Sequence, residues 1–566
     1  MSFSKTAFLV LLAFNVAGCS EKILSSIKRA DSSELIYLLE PAKFDGRPSL
    51  LIDLLFRGEA SGETLVRLPS VWAGQSKLER SVKGLVPLTA GAQIRGTDQP
   101  SVKRILHKPS EVLHLRYWLV QDFDSPIQEE ENFLRPIVQD TYFHWLGGAG
   151  LVQPDWPMDR KLDVSLRWLS FPPGAAVINS YGSDEWLQGF EATLPELQNS
   201  LFLGGDVRVQ EFSEGKSRMK IAVRGQPNFE DTQLAAFVKK IWKTQLGVLG
   251  DETVPFRFLS LLSVGKQCCT YHSARARHTL VTVIASDQGI GLDMKRVISG
   301  ELLRSRLDDE LGALAREPRW FWLRTGFAQF ASRLMGFQSG EEKGWTLENY
   351  LDDFNASLRE QAFSPAKDES YRELTSRAGT DRLAGRELYL RGDILGQAWY
   401  ASVRRDGKSL ETLEAGVPEL LRQLRAHPDE AEVASTGLSK AKPMAPMADW
   451  MGPCAKLQKV SLRAFELGFD LESSKQEGRI SGVKHDSAAF RAGLRRDQRL
   501  LSWRVRLGDP AFEAEIRVRE GKSEKTIRFL PVSLTSRKIS QFIMDAGAAT
   551  TSADRSDACL RGLGLH

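Results

Sequence analysis

Histidine is the residue most often used to bind catalytic zinc or to transfer protons near neutral pH, and this chain has eight of them. A zinc helix of the H-E-x-x-H type needs two histidines four residues apart, because that spacing puts both rings on one face beside a glutamate base. No two histidines here are four apart; they are His107, His114, His144, His272, His278, His427, His485 and His566. The sequence therefore predicts no zinc helix of this type.

Other common catalytic signatures are also absent from the sequence. No C-x-x-C pair occurs among the five cysteines, which argues against a cysteine zinc site. No G-x-S-x-G segment indicates a serine nucleophile at a strand-to-helix turn. Cys268 and Cys269 lie near His272 and His278, but a Cys–His pair in one short segment is more often structural than catalytic.

The N-terminus carries chemistry of another kind. Lys5 precedes a short apolar stretch at 7–16, which is too short to span a bilayer and is typical of a signal peptide. The tetrapeptide VAGC that ends at Cys19 resembles the bacterial lipobox. The resemblance implies that the Cys19 thiol receives a lipid and that residues 1–18 are removed as the signal peptide. Two or three acyl chains would then anchor the protein stably, whereas the alternative is an ordinary secretory signal with a chance cysteine.

This interpretation sets the expected compartment and partners. Ser20 rather than an aspartate follows the cysteine, which favours the outer membrane, with the protein facing the periplasm. Disulfides are permitted in such an oxidising compartment, and we predict one between Cys454 and Cys559. The 76 basic and 72 acidic residues give no reason to expect nucleic acid. The expected partners are the membrane, through the lipid, and envelope proteins or peptides; the sequence does not indicate an oligomeric state.

The elements that must position these residues fall into three regions of the 566-residue chain. Residues 30–205 contain mostly strand-like segments and predict an antiparallel β domain. Residues 206–450 predict a mostly helical α+β domain, since apolar residues recur there at helical spacing around one buried strand at 278–285. The helices are predicted at 232–246, 294–314, 320–335, 389–404 and 409–424. A proline-containing linker at 426–452 then leads to a β-rich module at 455–535.

Three motifs, in this order, resemble those of a known peptidase family. LPSVWAG at 68–74 is similar to the family's L-P-S-W-x-P-G, WFWLRTGFAQF at 320–330 to its W-F-x-E-G-F-T-x-Y-Y, and YLRG at 389–392 to its Y-x-K-G. The family is M61, the glycyl aminopeptidases, and the resemblance covers nearly the whole mature chain. It implies a multidomain α+β fold with an N-terminal antiparallel β domain, a thermolysin-like mostly helical domain and a C-terminal PDZ-like β module.

The resemblance breaks at the residues that would bind zinc. The segment GELLR at 300–304 matches the family's zinc helix, but Gly300 and Arg304 replace the two histidines and only Glu301 is kept. Thr325 stands where the family has its third ligand, a glutamate. Glycine has no donor atom, arginine is a permanent cation and threonine is a poor ligand. We therefore expect neither catalytic zinc nor another cofactor.

Two residues of the family's active site remain open to interpretation. Tyr389 matches the tyrosine that stabilises the oxyanion in active relatives, while Tyr271, in CCTYH at 268–272, replaces the glutamate that would hold a substrate amine. Glu301 and Tyr389 are either the remnant of a working site, or Tyr389 packs in the old cleft and Glu301 pairs with Arg304, three residues on. The second interpretation is favoured.

The C-terminal module resembles a PDZ domain of the bacterial protease type. Leu467, Gly468 and Phe469 resemble the loop whose backbone N–H groups hold a peptide carboxylate, and DSAAFRAGL at 486–494 resembles a turn of that domain. Such domains bind a peptide between an edge strand and a helix, but residues 504–512 leave little room for the helix. The module's arginines predict a solvated face; they are Arg491, Arg495, Arg496, Arg499, Arg504 and Arg506.

These observations favour a membrane-anchored, catalytically inactive M61-like lipoprotein that binds or scaffolds other molecules in the cell envelope. Two alternatives stay open. One is a peptidase or other hydrolase of the M61 type with an altered site, which would have zinc as its cofactor. The other is a structural lipoprotein whose cleft has no function.

Overall fold

A computed structural model describes residues 33–127, 132–183, 186–250, 256–265, 271–338, 346–378, 381–405, parts of 417–426, 446–506 and 508–544. Cys19, Cys268, Cys269 and Cys559 lie outside these residues, and so does most of the helix predicted at 409–424. No helix in the described part of the chain is both long enough and apolar enough to cross a membrane.

The described residues of the N-terminal region form mostly strands, with two short α-helices and two 3-10 turns. Its strands are β1 (Leu35–Phe44), β2 (Arg47–Arg57), β3 (Glu63–Arg67), β4 (Val82–Pro87), β5 (Gln93–Gly96), β6 (Val102–Leu106), β7 (Val112–Val120), β8 (Ile137–Val138), β9 (Tyr142–Leu146), β10 (Gln153–Pro154), β11 (Leu162–Trp168), β12 (Ala176–Asn179), β13 (Gly182–Ser183), β14 (Leu187–Ala192) and β15 (Leu201–Gly205). The helices are α1 (Gly147–Gly150) and α2 (Leu194–Gln198).

These strands form three sheets around a common core. Their orders are β14-β11-β1-β2-β7-β4, β10-β3-β6-β5 and β13-β12-β15-β9-β8. Strands β1 and β2 form a hairpin through Asp45 and Gly46, which both have positive φ, as a tight two-residue turn requires. The predicted β domain is present, but it is not purely antiparallel: β1 and β11 pair in parallel, because a long connection separates them.

The middle region begins with a mixed sheet in the order β16-β17-β18-β20-β19. Its strands are β16 (Arg208–Glu214), β17 (Ser217–Arg224), β18 (Phe256–Ser263), β19 (Tyr271–Ala276) and β20 (Thr279–Ile284). The pairs β17–β18 and β18–β20 are parallel, and every residue of β20 is buried, as is typical of a parallel strand covered on both faces. The sequence predicted this strand but not the sheet around it.

Helices complete the middle region. They are α3 (Asp231–Leu249), α4 (Leu292–Leu311), α5 (Ala328–Gln338), α6 (Leu347–Phe363), α7 (Tyr371–Arg377) and α8 (Arg382–Arg405). Helix α4 ends earlier than predicted because Gly312 adopts φ 56°. The segment predicted as a helix at 320–335 begins instead with a 3-10 turn (Pro318–Trp320) and a π-helical turn (Leu323–Phe327) before α5. Helices α6 and α7 were not predicted.

The C-terminal region is a small β structure that packs on the helices. It contains β21 (Ala455–Phe465), α9 (Leu471–Glu477), α10 (Ala488–Arg491), β22 (Arg499–Arg504), β23 (Ala514–Glu520), β24 (Ser523–Phe529) and β25 (Val532–Met544). Strands β22, β23 and β24 form one sheet, and β21 pairs with β25 in another. The structure therefore extends to Met544, beyond the module end predicted at 535.

One asparagine ties this region to the helices. The Asn355 amide of α6 donates to the Phe542 carbonyl at 2.7 Å, and its Oδ1 accepts from the Phe542 N–H at 2.8 Å. The Asn355 side chain thus bonds both backbone polar groups of Phe542, as a neighbouring strand would. As a result, β25 is fixed against α6, and the loop that follows β22 lies beside the helical region.

Candidate functional site

Two glycines let the motif-bearing helices approach closely. A Cβ on Gly326, in the π-helical turn, would lie 1.9 Å from the Tyr389 carbonyl oxygen, and one on Gly392 of α8 would lie 2.4 Å from the Trp322 carbonyl oxygen. Backbone therefore meets backbone where the two segments cross. This contact brings Tyr389 beside Thr325, so the glycines of the two motifs have a packing role.

Glu301 of α4 is held between two arginines. Arg304 donates to its Oε1 at 2.5 Å, which is the ion pair that the spacing predicted, and Arg275 of β19 approaches its Oε2 at 3.1 Å. Arg275 also donates to Asp308 at 2.7 Å, and Asp308 bonds Arg324. The sequence did not identify Arg275, Asp308 or Arg324 as parts of this network.

The three positions that match zinc ligands offer no metal site. Gly300 has no side chain, and a Cβ there would meet Gln329 Oε1 at 3.5 Å and Ser332 Oγ at 3.9 Å on α5. Thr325 uses its hydroxyl to donate to the Phe321 carbonyl at 2.6 Å. Arg304 brings a permanent positive charge. Within the described ranges, no group of three or more His, Cys, Asp or Glu side chains could hold a metal ion. The residues present do not fit zinc.

Tyr389 is partly buried among guanidinium groups. Arg386 lies over its ring at 4.3 Å and Arg304 at 5.7 Å from the ring centroid, in cation–π geometry. Burial raises the pKa of the Tyr389 phenol above its ordinary value of 10.0, and the nearby Arg386 charge only partly offsets this, so the phenol is neutral at physiological pH.

Arg386 is fixed in turn by a buried carboxylate on α6. Glu360 accepts from its Nε at 2.5 Å and from its Nη2 at 2.6 Å, a bidentate pair. Burial by itself would lower the pKa of Arg386, but the hydrogen bonds and charge of Glu360 raise it above its ordinary value. Arg386 is therefore a permanent cation with a fixed orientation.

These residues line one cavity of about 580 Å³ between the helices and the C-terminal region. Its size falls within the usual range for small-molecule sites. Five arginines and one carboxylate line it, together with three aromatic rings and four small or uncharged residues: Arg304, Phe321, Thr325, Glu360, Ala378, Arg382, Gly385, Arg386, Tyr389, Arg504, Val505, Arg506 and Phe512. We call it the arginine cavity.

The loop between β22 and β23 forms one wall of the arginine cavity. Gly508 packs against α6 so closely that a Cβ would lie 2.9 Å from the Glu360 carbonyl oxygen. The buried Asp509 accepts from Arg359 of α6 at 3.2 Å. Arg504 and Arg506 then lie over the Phe512 ring, at 5.3 Å and 4.7 Å. The described residues of this loop form no helix.

The arginines of the C-terminal region are largely solvated, as predicted: Arg491, Arg495, Arg496, Arg499 and Arg504 are exposed, and Arg506 is half-buried. Arg504 and Arg506 also line the cavity, because their loop folds back onto α6. A sequence pattern could not reveal this, since the contact joins residues that are far apart in the chain.

The other predicted site residues lie elsewhere or outside the described part. Leu467 and Phe469 are buried in the core of the C-terminal region, and Gly468 between them has φ 82°. Cys454 is disulfide-bonded, and its partner is outside the described residues. Of Tyr271, only the backbone is described, at the start of β19.

Comparisons with known proteins identify a fold. No protein-family model matches the sequence, and no curated protein sequence does. A crystal structure of an aminopeptidase N family protein from Idiomarina loihiensis is similar, with a TM-score of 0.62 and 13% identity over 93% of this chain and 100% of that chain. An M1 zinc metallopeptidase from Deinococcus radiodurans aligns with a TM-score of 0.38 and 14% identity over 71% of this chain and 93% of that chain. The chain thus has a multidomain α+β fold similar to that of an aminopeptidase N family protein.

Proposed function

We propose that this chain is a lipid-anchored envelope protein with an M61-like architecture, and that its peptidase-like region binds a ligand and no longer hydrolyses peptides. The observation that carries the proposal is the pairing of Glu301 with Arg275 and Arg304. A metallopeptidase needs this glutamate to take a proton from metal-bound water. Here both oxygens of the carboxylate are occupied by guanidinium groups, and the nearby cations oppose a metal ion.

The rest of the architecture supports a binding role. The cavity lies beside positions that the resemblance matches to the family's active site, since Tyr389, Arg304 and Thr325 line it. We also propose that residues 455–535 form a PDZ-like module. The segment after β22 lies against α6 and not in a peptide groove. We propose that the C-terminal region here helps to form the cavity.

Metal analysis and a peptidase assay test the loss of zinc chemistry. The full chain, purified without chelators, is expected to contain far less than one zinc per chain and to release no amino acid from short peptides. The same assay after addition of zinc and after chelation serves as the control. Stoichiometric zinc together with chelator-sensitive hydrolysis would falsify the proposal and favour the alternative of an altered but working peptidase.

Acyl labelling tests the anchor. Cys19→Ala should abolish labelling and leave an unprocessed precursor, because the thiol that receives the lipid is gone. Cys559→Ser, which leaves the lipobox intact, is the matched control and should be labelled normally. A Cys19→Ala protein that is still lipid-labelled would show that the lipobox interpretation is wrong.

A further inference from the structure

We propose that the arginine cavity binds a small ligand that carries two or more oxyanion groups, of the phosphate or carboxylate type. This inference rests on the proposed function, because it gives a ligand class to the cleft of the inactive peptidase-like region.

Charge is the first observation. Five guanidinium groups line the cavity and only one carboxylate does. That carboxylate, Glu360, is already bonded twice by Arg386. The nearby Glu301 and Asp509 are likewise engaged by arginines. Arg304, Arg386 and Arg506 are thus each paired with a carboxylate, and the positive charge left facing the cavity is that of Arg382 and Arg504.

Two of the guanidinium groups are available to a ligand. Arg382 is exposed and has no ion-pair partner within the described part of the chain. Arg504 has only a distant carboxylate, Glu515 at 3.9 Å, which is closer to Arg528 at 2.9 Å. Arg382 is the first residue of α8, where a cation interacts unfavourably with the helix dipole. Helix stability therefore does not explain its presence, whereas an anion in the cavity would.

Preorganisation is the second, independent observation. The Phe512 ring supports Arg504 and Arg506, while Glu360 fixes Arg386 against Tyr389. Guanidinium groups held in place by rings and carboxylates lose little conformational entropy when they bind an anion. They present planar forks that match carboxylate and phosphate oxygens in bidentate geometry.

The number of oxyanion groups follows from where the arginines lie. Arg304 is on α4, Arg382 and Arg386 are on α8, and Arg504 and Arg506 are on the loop after β22. A cavity of about 580 Å³ is much larger than one phosphate or carboxylate group, so it has space for a ligand with two such groups. A ligand with at least two such groups can connect the helices to the C-terminal loop.

Titration calorimetry of the full chain in detergent tests the proposal. Inorganic pyrophosphate and citrate are the probes, and glycerol is the neutral control. We expect both anions to bind with an affinity that falls as salt rises, because exposed charges are screened. Arg382→Ala should weaken binding about tenfold or more, since a hydrogen bond to a charged group is lost. Arg382→Glu should weaken it further.

Arg496→Ala is the matched control, because Arg496 is also exposed but does not line the cavity. It should bind as the unsubstituted protein does, and a thermal unfolding curve of each variant shows that the fold is kept. Short-chain cardiolipin, which carries two phosphate groups, separates the two sources of phosphate. If it competes with pyrophosphate while short-chain phosphatidylcholine does not, the ligand is a lipid head group; if neither competes, it is a free anion.

Absence of binding for both probes, or equal weakening by Arg382→Ala and Arg496→Ala, would overturn the inference. Neither result would affect the proposed loss of zinc chemistry, because zinc content and hydrolysis are measured separately. Conversely, zinc-dependent hydrolysis would overturn the proposed function even if anions bind.

Discussion

At the residue scale, Arg304 changes what Glu301 can do. A histidine at 304 would help to bind a metal ion, and the carboxylate beside it would act on metal-bound water. With arginine there, the carboxylate is a counter-ion, and Arg275 engages its second oxygen. A histidine at 304 alone would therefore not free the carboxylate, because Glu301 would stay bonded to Arg275.

Restoring the ligands tests this relationship. Gly300→His, Arg304→His and Thr325→Glu together should give one bound zinc per chain, because Glu301 and the helix register are kept. A Cβ at position 300 fits without a clash, since the nearest atoms, Gln329 Oε1 and Ser332 Oγ, would lie 3.5 Å and 3.9 Å from it. Metal analysis after dialysis measures the result.

Activity need not return in this triple variant, because the groups that orient the ligands have changed as well. The double variant that keeps Arg304 is the control and should bind no zinc. A folded triple variant without zinc would show that Gly300, Arg304 and Thr325 do not occupy equivalent places around one metal position.

Asp53, in the N-terminal sheet, predicts a dependence of stability on pH. Burial by itself would raise the pKa of Asp53, but hydrogen bonds from Arg116 and His114 lower it below its ordinary value of 3.8. A carboxyl group with a lowered pKa stabilises the fold above its unfolded-state pKa, and this contribution is lost as pH falls through the folded-state pKa. The loss is therefore confined to acid below about pH 4.

Asp53→Asn should lower the free energy of unfolding by about 1–3 kcal/mol at neutral pH, because a charged hydrogen-bond acceptor is lost. It should also reduce the acid sensitivity of the protein. Asp98→Asn, at an exposed aspartate, is the matched control and should change neither. Denaturant unfolding at pH 7 and pH 3 measures both quantities. Equal losses of stability on acidification in the Asp53→Asn and unsubstituted proteins would contradict this account.

At the element scale, the crossing of the π-helical turn and α8 determines the shape of the site. The Trp-Phe motif and the Tyr-x-x-Gly motif each supply one glycine to this crossing, and any side chain there would meet backbone. The same contact fixes the position of Tyr389 relative to Thr325. The two motif glycines therefore control where Tyr389 and Thr325 lie.

Adding a methyl group at this crossing should be costly. Gly326→Ala places a Cβ 1.9 Å from a carbonyl oxygen, so the segments must separate, and we expect a loss of about 1–3 kcal/mol or more. Gly300→Ala is the matched helical control: its Cβ makes ordinary contacts, and alanine favours helix by about 1 kcal/mol over glycine. The midpoint of thermal unfolding should fall for Gly326→Ala and rise for Gly300→Ala. Similar midpoints would show that the crossing is not tight.

At the scale of the whole molecule, the C-terminal region completes a cavity that the helices alone leave open. The ribbon of β21 and β25 is fixed to α6 by Asn355, and Asp509 adds an ion pair with Arg359. Cys454 lies directly before β21 and is disulfide-bonded. A crosslink at this point would hold the start of the ribbon in place.

We predict that the partner of Cys454 is Cys559, which would close a loop of roughly a hundred residues and stabilise the fold by about 2–4 kcal/mol. Cys559→Ser should then lower the unfolding midpoint under oxidising conditions and leave it unchanged under reducing ones. Cys269→Ser is the control. Peptide mapping without reductant identifies the pair directly, and a peptide that links Cys454 to Cys268 or Cys269 would contradict the prediction.

The sequence by itself determined what depends on local patterns. Residue patterns predicted a strand-rich N-terminal region, the buried strand at 278–285 and helices such as α3, because these patterns reflect which face of an element is buried. The sequence also showed that Gly300, Arg304 and Thr325, the positions that the resemblance matches to zinc ligands, carry no suitable metal-binding side chain. The Glu301–Arg304 pair followed from a spacing of three residues on one helix.

Only the tertiary structure decided which residues from distant segments of the chain come into contact. Arg275 reaches Glu301 because β19 is the edge strand beside α4, and Arg504 and Arg506 reach the cavity because their loop packs on α6. The sequence indicates no partner for Arg275 and predicts a solvated face for Arg504 and Arg506. The physical reason is that periodicity records whether a side chain is buried, but it does not record which other element buries it.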